Sequence, residues 1–190
     1  RKIKAISFRN RLQGLFVGAL LAFHLIFFYL SIKLSNVSIG TVTLASSSFF
    51  TSLLEPKLLN KRFDKTSLIY ASLNLIGLLL IFNFDTKFRL GISVGIISAF
   101  LAALFTVCNK KFSYGKDPYT FINYEMLGGF LLVLALSPVY LLGYGTASIY
   151  FDLKDLIYLF LLATVFTVLL YLMVVQLASK VSAFTLMLTF

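Results

Sequence analysis

The sequence is short of the residues that most functional chemistry needs. It holds one cysteine, Cys108, and one histidine, His24. A single thiol excludes a disulfide framework, and one cysteine with one histidine cannot build a zinc site. Acidic residues number only seven, and charged residues of both signs make up 13% of the chain, against roughly a quarter in ordinary soluble domains. There is no phosphate-binding glycine loop and no low-complexity tract. Water is therefore not the main solvent of this chain.

What the sequence has instead is apolar length. Of its 190 residues 59% are hydrophobic, and the mean hydropathy is +0.94. Uncharged runs extend over Leu12–Ile32, Leu34–Leu54, Thr66–Phe84, Leu90–Asn109, Met126–Phe151 and Leu156–Ser179, and a seventh begins at Val181. Each complete run has 19 residues or more, close to the roughly 20 that cross a bilayer core as a helix. Barrel strands would be about 10 residues long and would alternate apolar with polar, which these runs do not. The first run is too long for a secretory signal and is followed by others of its kind. The expectation is an all-α, polytopic transmembrane bundle with six full spans and one partial span. The first residue is Arg1, so the chain reads as a fragment truncated at both ends.

The net charge of +10 would suggest nucleic acid in a soluble protein, but here the positions of the charges decide. Summed over alternate connections, thirteen Lys and Arg fall on one side of the membrane and four on the other. By the positive-inside rule, the segment before the first span lies in the cytoplasm of a multi-pass protein of the inner or plasma membrane. Connections are short, and Ser35 or Asn36 is placed to cap the second span. Asn36-Val37-Ser38 also matches a glycosylation acceptor, read as a chance match at the mouth of that span. Pro118 suits the start of the fifth span, and Pro138 is expected to end it, with a kink as the alternative.

The chain also resembles itself. Ser35-Asn36-Val37-Ser38-Ile39-Gly40-Thr41 aligns with Ser179-Lys180-Val181-Ser182-Ala183-Phe184-Thr185 at an offset of 144, with four of seven positions identical. The first span then corresponds to the sixth and the second to the seventh, giving a unit of five helices. An odd number of spans re-enters the membrane facing the other way, so the repeats are inverted, an arrangement used for alternating access. Residues 1–84 would be the last three helices of one repeat, and 85–190 the first four of the next. The intact protein is expected to have ten spans and about 285 residues.

The hairpin from His24 through Tyr29 and Ser31-Ile32-Lys33-Leu34-Ser35-Asn36-Val37-Ser38 to Leu53-Leu54-Glu55-Pro56 resembles the third and fourth helices of EamA-type members of the drug/metabolite transporter superfamily. The fourth span, from Gly91 through Ala102-Ala103 to Asn109-Lys110-Lys111, is similar to the helix that opens their second repeat. The resemblance implies ten helices in two five-helix repeats, and export or exchange of small metabolites. The chain departs from the family pattern in having no proline within the second span, with Ser48 near that place, and in having Glu55-Pro56 where an acidic-basic pair is usual. Those departures bear on the substrate.

Candidate site residues follow from polarity at membrane depth. Thr41, Ser48 and Ser52 share a face of the second span, with Thr43, Ser47 and Thr51 beside it, and Thr185 and Thr189 are the repeat partners of Thr41 and Ala45. Such hydroxyls face either a neighbouring helix or a wet transport path. His24, near the middle of the first span, is either a solute or proton-relay group or a neutral imidazole bonded to a neighbouring helix. Glu125 is either a proton or cation site, or a carboxylate near the interface or hydrogen-bonded to Asn123 or Tyr124. Tyr29 and Tyr171 are binding aromatics or interfacial anchors. The stripes Gly14, Gly18, Ala22 and Gly91, Gly95, Ala99, Ala103 are either static seams or sliding surfaces.

The functional expectation is a secondary transporter of a small organic metabolite or drug. It would need no cofactor and no metal, its partners being the solute and the lipid bilayer, with proton coupling and a homodimer left open. A channel or structural membrane subunit is the alternative. An intramembrane enzyme would need a linked nucleophile and base, and His24 and Glu125 lie on different helices with no motif joining them.

Overall fold

A computed structural model describes residues 7–84, 86–144, 152–169, 173–174, 176–177 and 180–188. Among them the chain is all-helical, without strands. The helices are α1 (Phe8–Leu34), α2 (Val37–Ala45), α3 (Ser47–Leu59), α4 (Lys65–Phe84), α5 (Arg89–Ser113), α6 (Pro118–Tyr144), α7 (Leu153–Leu161) and α8 (Ala183–Leu188). Four stretches are long and apolar enough to cross a membrane: Phe8–Leu34, Val37–Leu59, Arg89–Ser113 and Pro118–Gly143. These answer to the expected first, second, fourth and fifth spans.

Local chemistry sets the helix ends. Asn36 Oδ1 accepts the Ile39 N–H at 2.8 Å and starts α2, whereas the Ser35 hydroxyl turns back to Ser31 O at 2.6 Å. Asn60, with a left-handed φ of 52°, closes α3, and the Lys61 N–H reaches back to Pro56 O at 3.0 Å. Pro118 is the first residue of α6, as its fixed φ favours.

Pro138 does not end the fifth span: α6 runs through it to Tyr144. A proline removes one backbone donor, and a helix continues across it where that loss is tolerated. The expected sixth span also differs. It opens earlier, as α7, and then widens into a π-helical segment, Leu162–Leu169. This segment carries the β-branched residues Thr164, Val165 and Val168, which fit a regular α turn less readily. Thr164 Oγ1 also donates to Phe160 O at 2.7 Å.

α5 is the centre of the bundle, packed against α1, α2 and α3, while α6 packs along α1 and shares a core cluster with α1 and α5. The small-residue stripes are the seams. A Cβ added at Gly18 would lie 1.8 Å from Glu125 O, and one at Gly128 would lie 2.2 Å from Leu15 O, so α1 and α6 touch backbone to backbone. A Cβ at Gly95 would lie 2.2 Å from Thr43 Oγ1 and 2.8 Å from Ser31 Oγ. Close approach of this kind is how helices associate where hydrophobicity gives no drive. Outward faces carry large apolar side chains such as Phe130, Leu134 and Leu142, a surface suited to hydrocarbon.

Candidate functional site

The expected second span is a helix interrupted at Ser46, with a row of buried hydroxyls. Residues Thr43, Ser46, Ser47, Ser48, Thr51 and Ser52 are all buried. Several turn back on their own backbone. Thr43 Oγ1 donates to Gly40 O (2.9 Å), Ser46 Oγ to Thr43 O (2.6 Å), Ser48 Oγ to Ala45 O (2.9 Å), Thr51 Oγ1 to Ser47 O (2.8 Å) and Ser52 Oγ to Phe49 O (2.7 Å). Back-bonding hydroxyls bend helices, and the break between α2 and α3 falls at Ser46, in the middle of the row. The buried face of α5 opposite is equally small and polar, with Ser98, Ala99, Ala102, Ala103 and Thr106.

Exposure divides the residues singled out from the sequence. Ser48, Ser52 and Glu125 are inside. Thr41 is exposed and donates to Val37 O and Ser38 O, Tyr29 is exposed beside the Phe28 ring, and Thr185 is exposed at the start of α8. Thr189 and Tyr171 lie outside the described residues. In the self-alignment Asn36 stands opposite Lys180, which offers no acceptor; α8 starts instead with Ser182 Oγ accepting the Thr185 N–H at 2.9 Å.

His24 is half-buried and bound to α5. Its Nδ1 lies 3.1 Å from Ser98 O and 3.0 Å from Ser98 Oγ, while Ser98 Oγ also reaches His24 O at 3.0 Å. The imidazole is thus hydrogen-bonded to a neighbouring helix. Glu125 is fully buried on α6, against Gly14 and Gly18 of α1, and its Oε1 accepts Asn109 Nδ2 from α5 at 3.1 Å. One of its partners is thus a residue on another helix.

A cluster that the sequence reading passed over lies at the far end of α3. The Glu55 side chain is buried in spite of its charge, and three elements converge on it. Lys61 Nζ, beyond the turn, is 3.1 Å from Oε1; Lys110 Nζ, on α5, is 3.5 Å from the same oxygen; and the Phe184 N–H of α8 donates to Oε2 at 3.1 Å. Lys110 Nζ also donates to Val181 O. A buried carboxylate survives only with such partners. The available signal was an acid closing an uncharged run. Lys110 read only as a topology charge, because nothing local pairs it with Glu55.

The sequence matches no family model, and no solved structure matches it. An uncharacterized protein of Aquifex aeolicus (strain VF5) is 28% identical over 116 residues, which cover 54% of this chain and 28% of that protein. The chain therefore spans well under a third of the length of this relative.

Proposed function

We propose that the chain belongs to a secondary transporter that moves a small organic solute across the cell membrane by alternating access between inverted repeats. The observation that supports this most is the interruption of the second span at Ser46, inside a buried row of hydroxyls. Interrupted spans with polar residues at membrane depth are where transporters hold their cargo. The tie from Glu55 to Phe184 supports it further, because it joins the end of the second span to the start of the seventh, the counterpart of the second in the repeat. The basic connections set the cytoplasmic side, and export is the direction proposed.

A structural membrane subunit is the second reading. It is favoured by the hydroxyls being satisfied by their own helix and by seams as tight as that of Gly18 on Glu125.

Reconstitution separates the two. Full-length protein in proteoliposomes, loaded with radiolabelled amino acids, sugars, nucleosides or organic cations, should release one class saturably. A Ser48→Cys variant should be slow to react with a water-soluble thiol reagent at rest and should react faster when that class is supplied. Absence of flux across the panel, together with a Ser48→Cys thiol inert under every condition, would leave the structural reading.

A further inference from the structure

The ends of α1 and α6 that lie together gather positive charge where two apolar helices begin. Arg9 is in the first turn of α1, and Lys116 stands two residues ahead of α6. Lys116 is held in place: its Nζ donates to Gln13 Oε1 at 2.7 Å and lies 5.1 Å from the centre of the Phe121 ring. Arg11, two residues further on, has its guanidinium carbon 5.9 Å from the centre of the Tyr124 ring. Partial burial, and after it the nearby Arg9 charge, hold the Lys116 ammonium below the usual lysine range. Lys116 is thus tied to Gln13, four residues on from Arg9 in α1, and the close Gly14, Gly18 and Gly128 contacts seat α6 against α1, so two like charges from separate elements meet at one end. An anion seated between them relieves the repulsion. Asp117 is engaged in starting α6, where it accepts from the Thr120 N–H at 3.1 Å and from Thr120 Oγ1 at 2.5 Å.

The surroundings identify the kind of anion. Leu12 and Phe16, three and seven residues on from Arg9, continue its helical face and are 58% and 50% exposed. A charged head above an open apolar track matches a phospholipid more closely than a free ion. We propose that Arg9 and Lys116 form a headgroup site for an anionic phospholipid, with the phosphate between guanidinium and ammonium and an acyl chain along Leu12 and Phe16. The site is independent of what the protein transports.

Native mass spectrometry of the full-length protein tests this, with dioleoylphosphatidylglycerol, dioleoylphosphatidylcholine and inorganic phosphate as probes. The wild type should retain one phosphatidylglycerol at concentrations where phosphatidylcholine is lost. Arg9→Gln and Lys116→Gln should each weaken retention about fivefold, the effect of roughly 1 kcal/mol per basic residue near a membrane surface. Lys57→Gln with Arg62→Gln, which removes twice the charge of either variant near the end of α3, should change little. Arg9 is exposed, so Arg9→Gln carries the test if Lys116→Gln fails to fold. Equal loss in the Lys57 and Arg62 pair would mean diffuse attraction and overturn the proposal. So would equal retention of phosphatidylcholine, unchanged retention in the folded variants, or displacement by millimolar phosphate, which would mark a free-phosphate site.

Discussion

Glu55 and Phe184 are 129 residues apart in the chain, yet the Glu55 carboxylate accepts the Phe184 backbone N–H at 3.1 Å. The same carboxylate faces Lys110, which itself donates to Val181 O, so one acid and one base fasten the start of α8 to the ends of α3 and α5.

Removing the acid should release that fastening. Glu55→Ala leaves Lys110 and the Phe184 N–H without their carboxylate, and breaking a buried pair from one side costs about 3–5 kcal/mol. The expected outcome is a lower melting temperature in detergent and faster amide exchange at Phe184 and Thr185. Adding Lys110→Met should recover part of the loss, because no stranded charge remains. Lys61 is half-exposed, and Lys61→Met should cost less than about 1 kcal/mol.

His24 and Ser98 form a reciprocal contact between α1 and α5, and their energies should not add. A double-mutant cycle with His24→Phe and Ser98→Ala, read by reversible unfolding in mixed micelles, should give a coupling of about 0.6–1.7 kcal/mol, the range for interhelical hydrogen bonds in membranes. A coupling near zero would mean that the imidazole serves another partner.

Gly18→Ala should separate α1 from α6. Its Cβ would lie 1.8 Å from a backbone oxygen that cannot turn aside, and overpacking of this kind costs about 1–3 kcal/mol or more. Gly77→Ala, in α4, meets nothing within 4 Å and is the control that should be neutral or stabilising. Thermal stability of the two variants side by side decides.

Asp64 lies ahead of α4 and is fully exposed. Its carboxylate accepts from Ser67 Oγ at 2.5 Å and from the Thr66 N–H at 3.0 Å, and these bonds, the hydroxyl first, hold its pKa below the usual aspartate range. A depressed folded-state pKa stabilises in full above the unfolded value of about 3.9 and is lost as pH falls through the lower folded value. Amide protection at Thr66 should therefore decline as the pH drops below about 4, and in an Asp64→Asn variant that step should be missing.

The sequence was most legible where physics acts locally. Uncharged length located four of the spans, Asn36 and Pro118 announced helix starts, and the glycine stripes marked surfaces of close approach. One reading failed for want of context. Pro138 looked like a stop because the backbone donor it removes is local, whereas what carries α6 onward to Tyr144 is not. Hydropathy also gave no sign of the π-helical turn at Leu162–Leu169 within the sixth run. The site was less legible still. His24 and Glu125 stood out as polar groups at depth, yet Ser98 and Asn109, which they meet, are ordinary residues in sequence. Glu55 and Lys110 are joined only because α3 and α5 end at the same level, and that depends on how the bundle closes.

The order in which the chain is made gives the Glu55 cluster a further meaning. Ribosomes deliver residues from the amino end, so Glu55, Lys61 and Lys110 are made long before Phe184. Lys61 can partner the acid as soon as the turn after α3 exists, and Lys110 joins it when α5 arrives. The receptor for α8 is thus assembled ahead of its guest, and a nascent chain whose Glu55 is altered should hold α8 loosely from the moment that helix is made.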